Sequence, residues 1–199
     1  MAEQPWWSRE DFWRKTAVFV TAFMAIVLMV LTFHSMASIQ AGAGNVPAYS
    51  VINKRVFYRL DNERGRYAPV IGEDAPIFGE MLTEEEAYEL VNLGKLTVQA
   101  KNCINCHTML GNGAYYAPDL TRAWLDPGWG NEEFRENLMF NFLLDPTSYA
   151  RTYGSGRRMP NLGITESEAR GVMAYLKWMS AIDTNGFPYG FQTLQQGGE

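Results

Sequence analysis

Cys103-Ile104-Asn105-Cys106-His107 places two thiols three positions apart with an imidazole directly after the second. Thiols at that spacing, at the end of a helix, reach the two vinyl groups of one porphyrin and form thioethers. The histidine that follows projects under the ring and puts a nitrogen on the iron. C-x-x-C-H is therefore the attachment pattern of a covalent c-type haem. The alternatives are weaker. A structural zinc needs four ligands, and only His34, inside an apolar run, could supply a fourth nitrogen or sulfur. A thioredoxin-like cysteine pair needs an αβ scaffold, which the chain does not spell out. These are the only two cysteines, so there is no disulfide framework, and two histidines in all exclude a multi-histidine metal centre.

A six-coordinate iron needs a second axial ligand, and ten methionines are on offer. Met1 is terminal, and Met24, Met29 and Met36 belong to the apolar run. Met109 is too close to His107 to reach round a ring. Met81 precedes a helix start, and Met139, Met173 and Met179 fall on helical stretches, where core packing is the ordinary role of methionine. Met159 differs. It lies in Gly154-Ser155-Gly156-Arg157-Arg158-Met159-Pro160-Asn161, 52 residues after His107, in a loop stiffened by Pro160. A thioether on a constrained loop suits an axial ligand, so Met159 is expected opposite His107, with Met173 as runner-up. His/Met ligation raises the potential and favours electron transfer over oxygen chemistry.

The elements that must position these groups begin with an anchor. Residues 17–33 carry no charge, and no Asp, Glu, Lys or Arg follows until Lys54. A helix continued to residue 39 is about 35 Å long, enough for the hydrocarbon core of a bilayer. Arg14 and Lys15 flank its N-terminal side, which puts the N-terminus in the cytoplasm and residues 40–199 outside. Trp6, Trp7 and Trp13 suit an interfacial belt. A cleaved signal peptide, with Ala41-Gly42-Ala43 as its small-residue site, is the rival reading. The long leading segment, with three acidic and three basic groups, opposes it. Either way the rest of the chain is exported.

The expected organisation is a cytoplasmic segment over 1–15, a transmembrane helix over 16–39, a linker over 40–82 and a haem domain over 83–199. The linker holds β-prone runs at 51–60 and 66–71 around an Asp61-Asn62-Glu63-Arg64-Gly65 turn, which predict a hairpin. In the haem domain, Thr83-Glu84-Glu85-Glu86 is a capping box opening a helix to about Ala100. Asn131 caps another, with Phe134, Leu138 and Phe142 on one face, ended by Asp145-Pro146. Thr165-Glu166-Ser167-Glu168 is a second capping box, opening a helix that gathers Ala169, Val172, Met173 and Leu176 on one side. The fold class is mostly α. The whole net charge of −5 lies beyond residue 39, which disfavours phosphate backbones as partners.

Other charged and aromatic groups have plain readings. Glu84, Glu85, Glu86 and Glu89 form an acidic first helical turn favoured by the macrodipole, rather than a donor-docking patch. Arg157 and Arg158 are placed either at haem propionates or on ordinary surface. His34 reads as a hydrogen-bonded interfacial histidine. Tyr115, Tyr116, Trp124 and Trp129 wall the haem pocket or a partner surface.

Cys106-His107-Thr108-Met109-Leu110-Gly111-Asn112-Gly113-Ala114-Tyr115-Tyr116-Ala117-Pro118-Asp119-Leu120 resembles the cytochrome c subunit of bacterial nitric-oxide reductase. So do Phe142-Leu143-Leu144-Asp145-Pro146, Arg158-Met159-Pro160-Asn161-Leu162, Leu176-Lys177-Trp178 and Ile182-Asp183-Thr184-Asn185-Gly186, in order across roughly residues 100–187. The departure is at 46–80, where members of that family are usually shorter. The resemblance implies one N-terminal transmembrane helix followed by a periplasmic class I-like cytochrome c domain, in the bacterial inner membrane. It implies an electron-entry subunit with one haem c and no catalytic residue of its own. A soluble periplasmic donor, a cytochrome c or a cupredoxin, reduces that haem. Electrons then pass to haem b of a large multi-helix catalytic subunit that also carries non-haem iron and reduces nitric oxide to nitrous oxide. It implies a calcium ion at the subunit interface, held partly by the backbone carbonyls of Gly113 and Tyr115. Two other readings stay open: the mono-haem subunit of a cbb-type terminal oxidase, and a free-standing anchored electron carrier. The 111–120 stretch favours the reductase.

Overall fold

Among the described residues, 5–149 and 156–188 of a computed structural model, four α-helices and two antiparallel hairpins make up the regular structure. Gly154 and Ser155 of the methionine loop, residues 1–4 of the expected cytoplasmic segment and residues 189–199 of the expected haem domain lie outside the described residues.

Helix α1 spans Glu10–Ile39, 30 residues with none buried, and is long and apolar enough to cross a membrane. At about 1.5 Å per residue it measures roughly 45 Å. Its hydroxyls bond to the helix itself, Thr32 Oγ1 to the Leu28 carbonyl and Ser38 Oγ to the His34 carbonyl, both at 2.8 Å. An apolar medium requires such internal satisfaction.

The segment expected as a linker is instead part of the folded domain. Trp178 Nε1 donates to the Pro47 carbonyl at 3.1 Å, and the Tyr49 ring stacks on Trp178 at 5.3 Å. Both oxygens of Glu84 accept backbone N–H groups, from Tyr49 at 2.7 Å and Ser50 at 2.8 Å. Glu84 thus ties a 3-10 turn, Tyr49–Asn53, to the next helix, a specific job within the acidic run. That turn buries Val51, Ile52 and Asn53, so the strand expected from residue 51 starts at Lys54. Asn53 has its side-chain amide committed to the Leu82 backbone on both sides, at 2.7 and 3.0 Å, and its own carbonyl accepts from Ala75 N–H at 2.8 Å. The hairpin pairs β1 (Lys54–Asp61) with β2 (Arg66–Asp74). Its inner face buries Val56 and Tyr58, and the Tyr58 hydroxyl donates to the Ser180 carbonyl at 2.9 Å.

Helices α2 (Glu84–Ala100), α3 (Glu132–Leu144) and α4 (Glu166–Ser180) form the helical core. Both capping boxes are complete: the Thr83 and Thr165 hydroxyls accept from the Glu86 and Glu168 N–H groups, and the two carboxylates accept from the threonine N–H groups. Helices α2 and α4 cross at Gly94 and Gly171. A Cβ on Gly94 would lie 1.9 Å from the Gly171 carbonyl oxygen. Sequence reading missed this crossing; a glycine inside each capped helix, where it costs about 1 kcal/mol, is the signal that marks it.

Helix α3 packs one residue away from the expected face. Phe134 is 62% exposed, while Arg135, Met139 and Leu143 are buried. That face buries the apolar Met139 and Leu143, and the Arg135 guanidinium carried in with them lies 5.4 Å from the Trp124 ring centroid, a cation–π contact that offsets part of the cost of burying the charge. Helix α4 is buried more widely than its apolar stripe, taking in Lys177 and Ser180 as well as Met179.

Lys177 is 3% exposed and donates from Nζ to the Ala75 carbonyl at 2.7 Å. Burial lowers its pKa to about 8, against the opposing pull of Glu136 and Glu132; Arg135 adds to the lowering. The unfolded chain therefore binds the proton more tightly than the folded one. Stability should be held down below pH 8 and rise between about pH 8 and 10.5, by about 3 kcal/mol at most. Denaturant unfolding of the wild type and Lys177→Met across pH 7–10 checks this. The difference between the two curves should change over that window, and parallel curves count against it.

Candidate functional site

The site is assembled where α2 ends. Asn102, at φ 55° and ψ 42°, turns the chain into a left-handed conformation, and a 3-10 turn, Cys103–Asn105, follows. The Cys103 carbonyl accepts from both Cys106 N–H (3.1 Å) and His107 N–H (2.9 Å), so the two cysteines and the histidine share one tight turn. The two cysteines form no disulfide with each other, and burial pushes the Cys103 thiol up from its ordinary pKa.

A small hairpin then doubles the chain back. β3 (Thr108–Met109) pairs with β4 (Asn112–Gly113) around Leu110 and Gly111, both at positive φ. Gly113 has φ +118°, and a Cβ there would lie 2.2 Å from the His107 carbonyl oxygen. Only glycine permits that approach. Gly113 therefore supports the backbone of the histidine turn. The returning strand of chain is bonded to the same turn by Ala114 N–H to Ile104 O (3.0 Å), Ala117 N–H to Cys106 O (2.7 Å) and Leu120 N–H to Thr108 O (2.8 Å).

That return carries a partner that sequence reading missed. His107 Nδ1 lies 2.7 Å from the Pro118 carbonyl oxygen. A carbonyl only accepts, so Nδ1 holds the ring proton and Nε2 keeps a free lone pair. Burial lowers the His107 pKa, while the Pro118 carbonyl and Asp119 pull the other way. The neutral ring this favours is the form that binds a metal.

Cys103, Cys106, His107 and Met159 line one cavity of about 440 Å³, walled by Leu120, Trp129 and Phe142. Trp129 is fixed by its Nε1 bond to the Ala123 carbonyl (2.9 Å) and by an edge contact with Phe142 at 5.5 Å. Met159 is the methionine at this cavity; Met139, Met173 and Met179 are fully buried in the core instead. Tyr115 and Tyr116 stand at the cavity, 80% and 55% exposed. Trp124 lies in the core, so of the four aromatics two face outward and two inward. Arg157 and Arg158 also line the cavity, and the Arg157 guanidinium donates to the Tyr116 carbonyl and lies 4.8 Å from its ring centroid.

Two free thiols, an imidazole with one open nitrogen and a thioether, converging on a mainly apolar space, fit a covalent haem. The basic groups along the lining suit its carboxylates. Among the described residues, no group of three His, Cys, Asp or Glu side chains could hold a metal ion by itself.

Comparison with known proteins agrees. Residues 91–180 match the cytochrome c family, and a cytochrome c domain implies haem c. The chain is 38% identical over 112 residues to the nitric oxide reductase C subunit of Stutzerimonas stutzeri, covering 56% of this chain and 73% of that protein. It is 34% identical over 109 residues to the same protein of Cereibacter sphaeroides, covering 49% of this chain and 65% of the relative. Against the Paracoccus denitrificans protein it is 34% identical over 96 residues, 48% and 62% of the two chains. The shared length leaves a third or more of two of these three relatives unmatched. With a capped α2–α4 crossing, a C-x-x-C-H turn and this degree of identity, the chain belongs to the family of nitric oxide reductase C subunits.

Proposed function

We propose that this chain is the electron-entry subunit of a nitric-oxide reductase. It would take electrons from a soluble periplasmic donor and hand them to the haem b of a catalytic partner subunit. Haem c, when bound, supplies reversible one-electron chemistry. The chain's own residues do the rest. Cys103 and Cys106 would tether the group, His107 Nε2 and Met159 would supply the nitrogen and sulfur that hold its iron, and Trp129, Phe142 and Leu120 would exclude water. The observation that carries this reading is the convergence of those four side chains on one cavity, although Met159 is far from the others in sequence.

In the same reading α1 is the anchor in the bacterial inner membrane, with its N-terminus in the cytoplasm and the haem domain in the periplasm. Residues 1–15 are the cytoplasmic segment and 16–39 the membrane-spanning part, and the haem domain extends back to about Asn45, whose carbonyl accepts from Asp183 N–H at 3.0 Å. The carbonyls of Gly113 and Tyr115 are assigned to calcium at the partner interface, supported by the family stretch in which they lie. A backbone role predicts that Tyr115→Ala retains calcium. Gly113→Val is a poor probe, because the new side chain meets the His107 carbonyl first.

Purification of the intact complex tests the proposal. Covalent haem c should co-isolate with haem b, non-haem iron and nitric-oxide consumption, and with stoichiometric calcium. Copper with oxygen consumption would instead mark a terminal oxidase, and a lone haem c chain would mark a free carrier. A calcium-free active complex would remove the interface assignment alone.

A further inference from the structure

The His107–Pro118 bond depends on where residues 117–121 are held. Ala117 and Leu120 pin both sides of Pro118 to the 106–108 backbone, at 2.7 and 2.8 Å. Thr121, with no exposed surface, closes the segment. Its Oγ1 accepts from Leu110 N–H at 2.8 Å, and its own N–H donates to Asp119 Oδ1 at 2.8 Å. The second oxygen, Asp119 Oδ2, is buried and has no hydrogen-bond partner among the described residues, while Asp119 itself borders the cavity. The chain that follows the Pro118 carbonyl is thus closed on itself by the Asp119 carboxylate and tied to the 108–113 hairpin by a buried hydroxyl.

We propose that Asp119 and Thr121 are positioning residues for the iron's nitrogen ligand: they fix the Pro118 carbonyl on the His107 Nδ1–H and thereby set how strongly the ring donates to the iron. The inference rests on His107 being that ligand. A firm Nδ1–H···O bond raises the electron density on the imidazole and favours the more highly charged metal. Loosening it should therefore favour the reduced state and raise the potential.

Thr121→Val tests this in the full-length, haem-loaded chain, because it keeps the shape and removes only the acceptor for Leu110. The reduction potential should shift upward. The His107 Nδ1 proton of the reduced protein should exchange about fivefold faster or more, the loss of roughly one hydrogen bond. Thr121→Ser should restore both. Asp119→Asn keeps an oxygen for the Thr121 N–H and Asp119→Ala does not, so only the alanine variant should speed the exchange. That pair also serves if Thr121→Val fails to fold. Wild-type potential and exchange in Thr121→Val, or equal exchange in the two Asp119 variants, overturns the clamp. A low-spin spectrum retained in His107→Ala would overturn the ligand reading instead.

Discussion

Met159→Ala should keep its haem and lose its function. The thioether links to Cys103 and Cys106 do not involve Met159, so attachment should proceed. The iron should become five-coordinate or take water, and its potential should fall as the soft sulfur is lost. Met159 is half-buried beside Pro160, lining the cavity at the edge of the core, so the substitution removes less packing than a change at one of the fully buried methionines. Donor-driven nitric-oxide reduction should drop roughly 10–100-fold, the range seen when even supporting groups of a metal site are removed. Reduction driven by a small reductant acting directly on the partner subunit should survive. The far-red sulfur-to-iron charge-transfer band of the oxidised protein decides the assignment. It should vanish in Met159→Ala and persist in Met173→Ala, whose side chain is fully buried in the core. The reverse pattern would move the ligand to α4.

The second large effect is at the helix crossing. Gly94→Ala should improve helix propensity by about 1 kcal/mol and still destabilise the protein. The new Cβ would lie 1.9 Å from the Gly171 carbonyl oxygen and 2.3 Å from its carbon, both backbone atoms that cannot rotate away. The helices must separate, which costs about 3 kcal/mol or more. Because α2 leads directly into the Cys103 turn, haem attachment should fall with stability. Gly171→Ala meets its nearest atom at 2.8 Å and should be milder. Denaturation midpoints and the yield of haem-loaded protein check both variants. A wild-type midpoint in Gly94→Ala would remove the crossing from this account.

What could be read from the chain alone was local. The capping boxes at Thr83 and Thr165, the charge-free run of α1 and the C-x-x-C-H turn each depend on residues within a few positions of one another, or on a composition that holds over a whole helix. Their hydrogen bonds close inside the same segment, so the pattern carries its own physics. Met159 was marked by its constrained loop, and the tertiary structure brings that loop to the cavity.

The rest was decided by pairs far apart in sequence. Tyr58 bonds to Ser180 across 122 positions and Lys177 to Ala75 across 102, and these contacts turn an apparent linker into part of the domain. The inward face of α3 is the one that carries Met139 and Leu143, with Arg135 against Trp124, rather than the face its phenylalanine spacing suggests. The fit of Gly94 against Gly171 and the aim of the Pro118 carbonyl at His107 are matters of ångströms between separate segments. Periodicity tells which residues share a side of a helix; only the packed chain determines which side is covered, because that depends on the shapes and charges of neighbours that the local pattern does not contain.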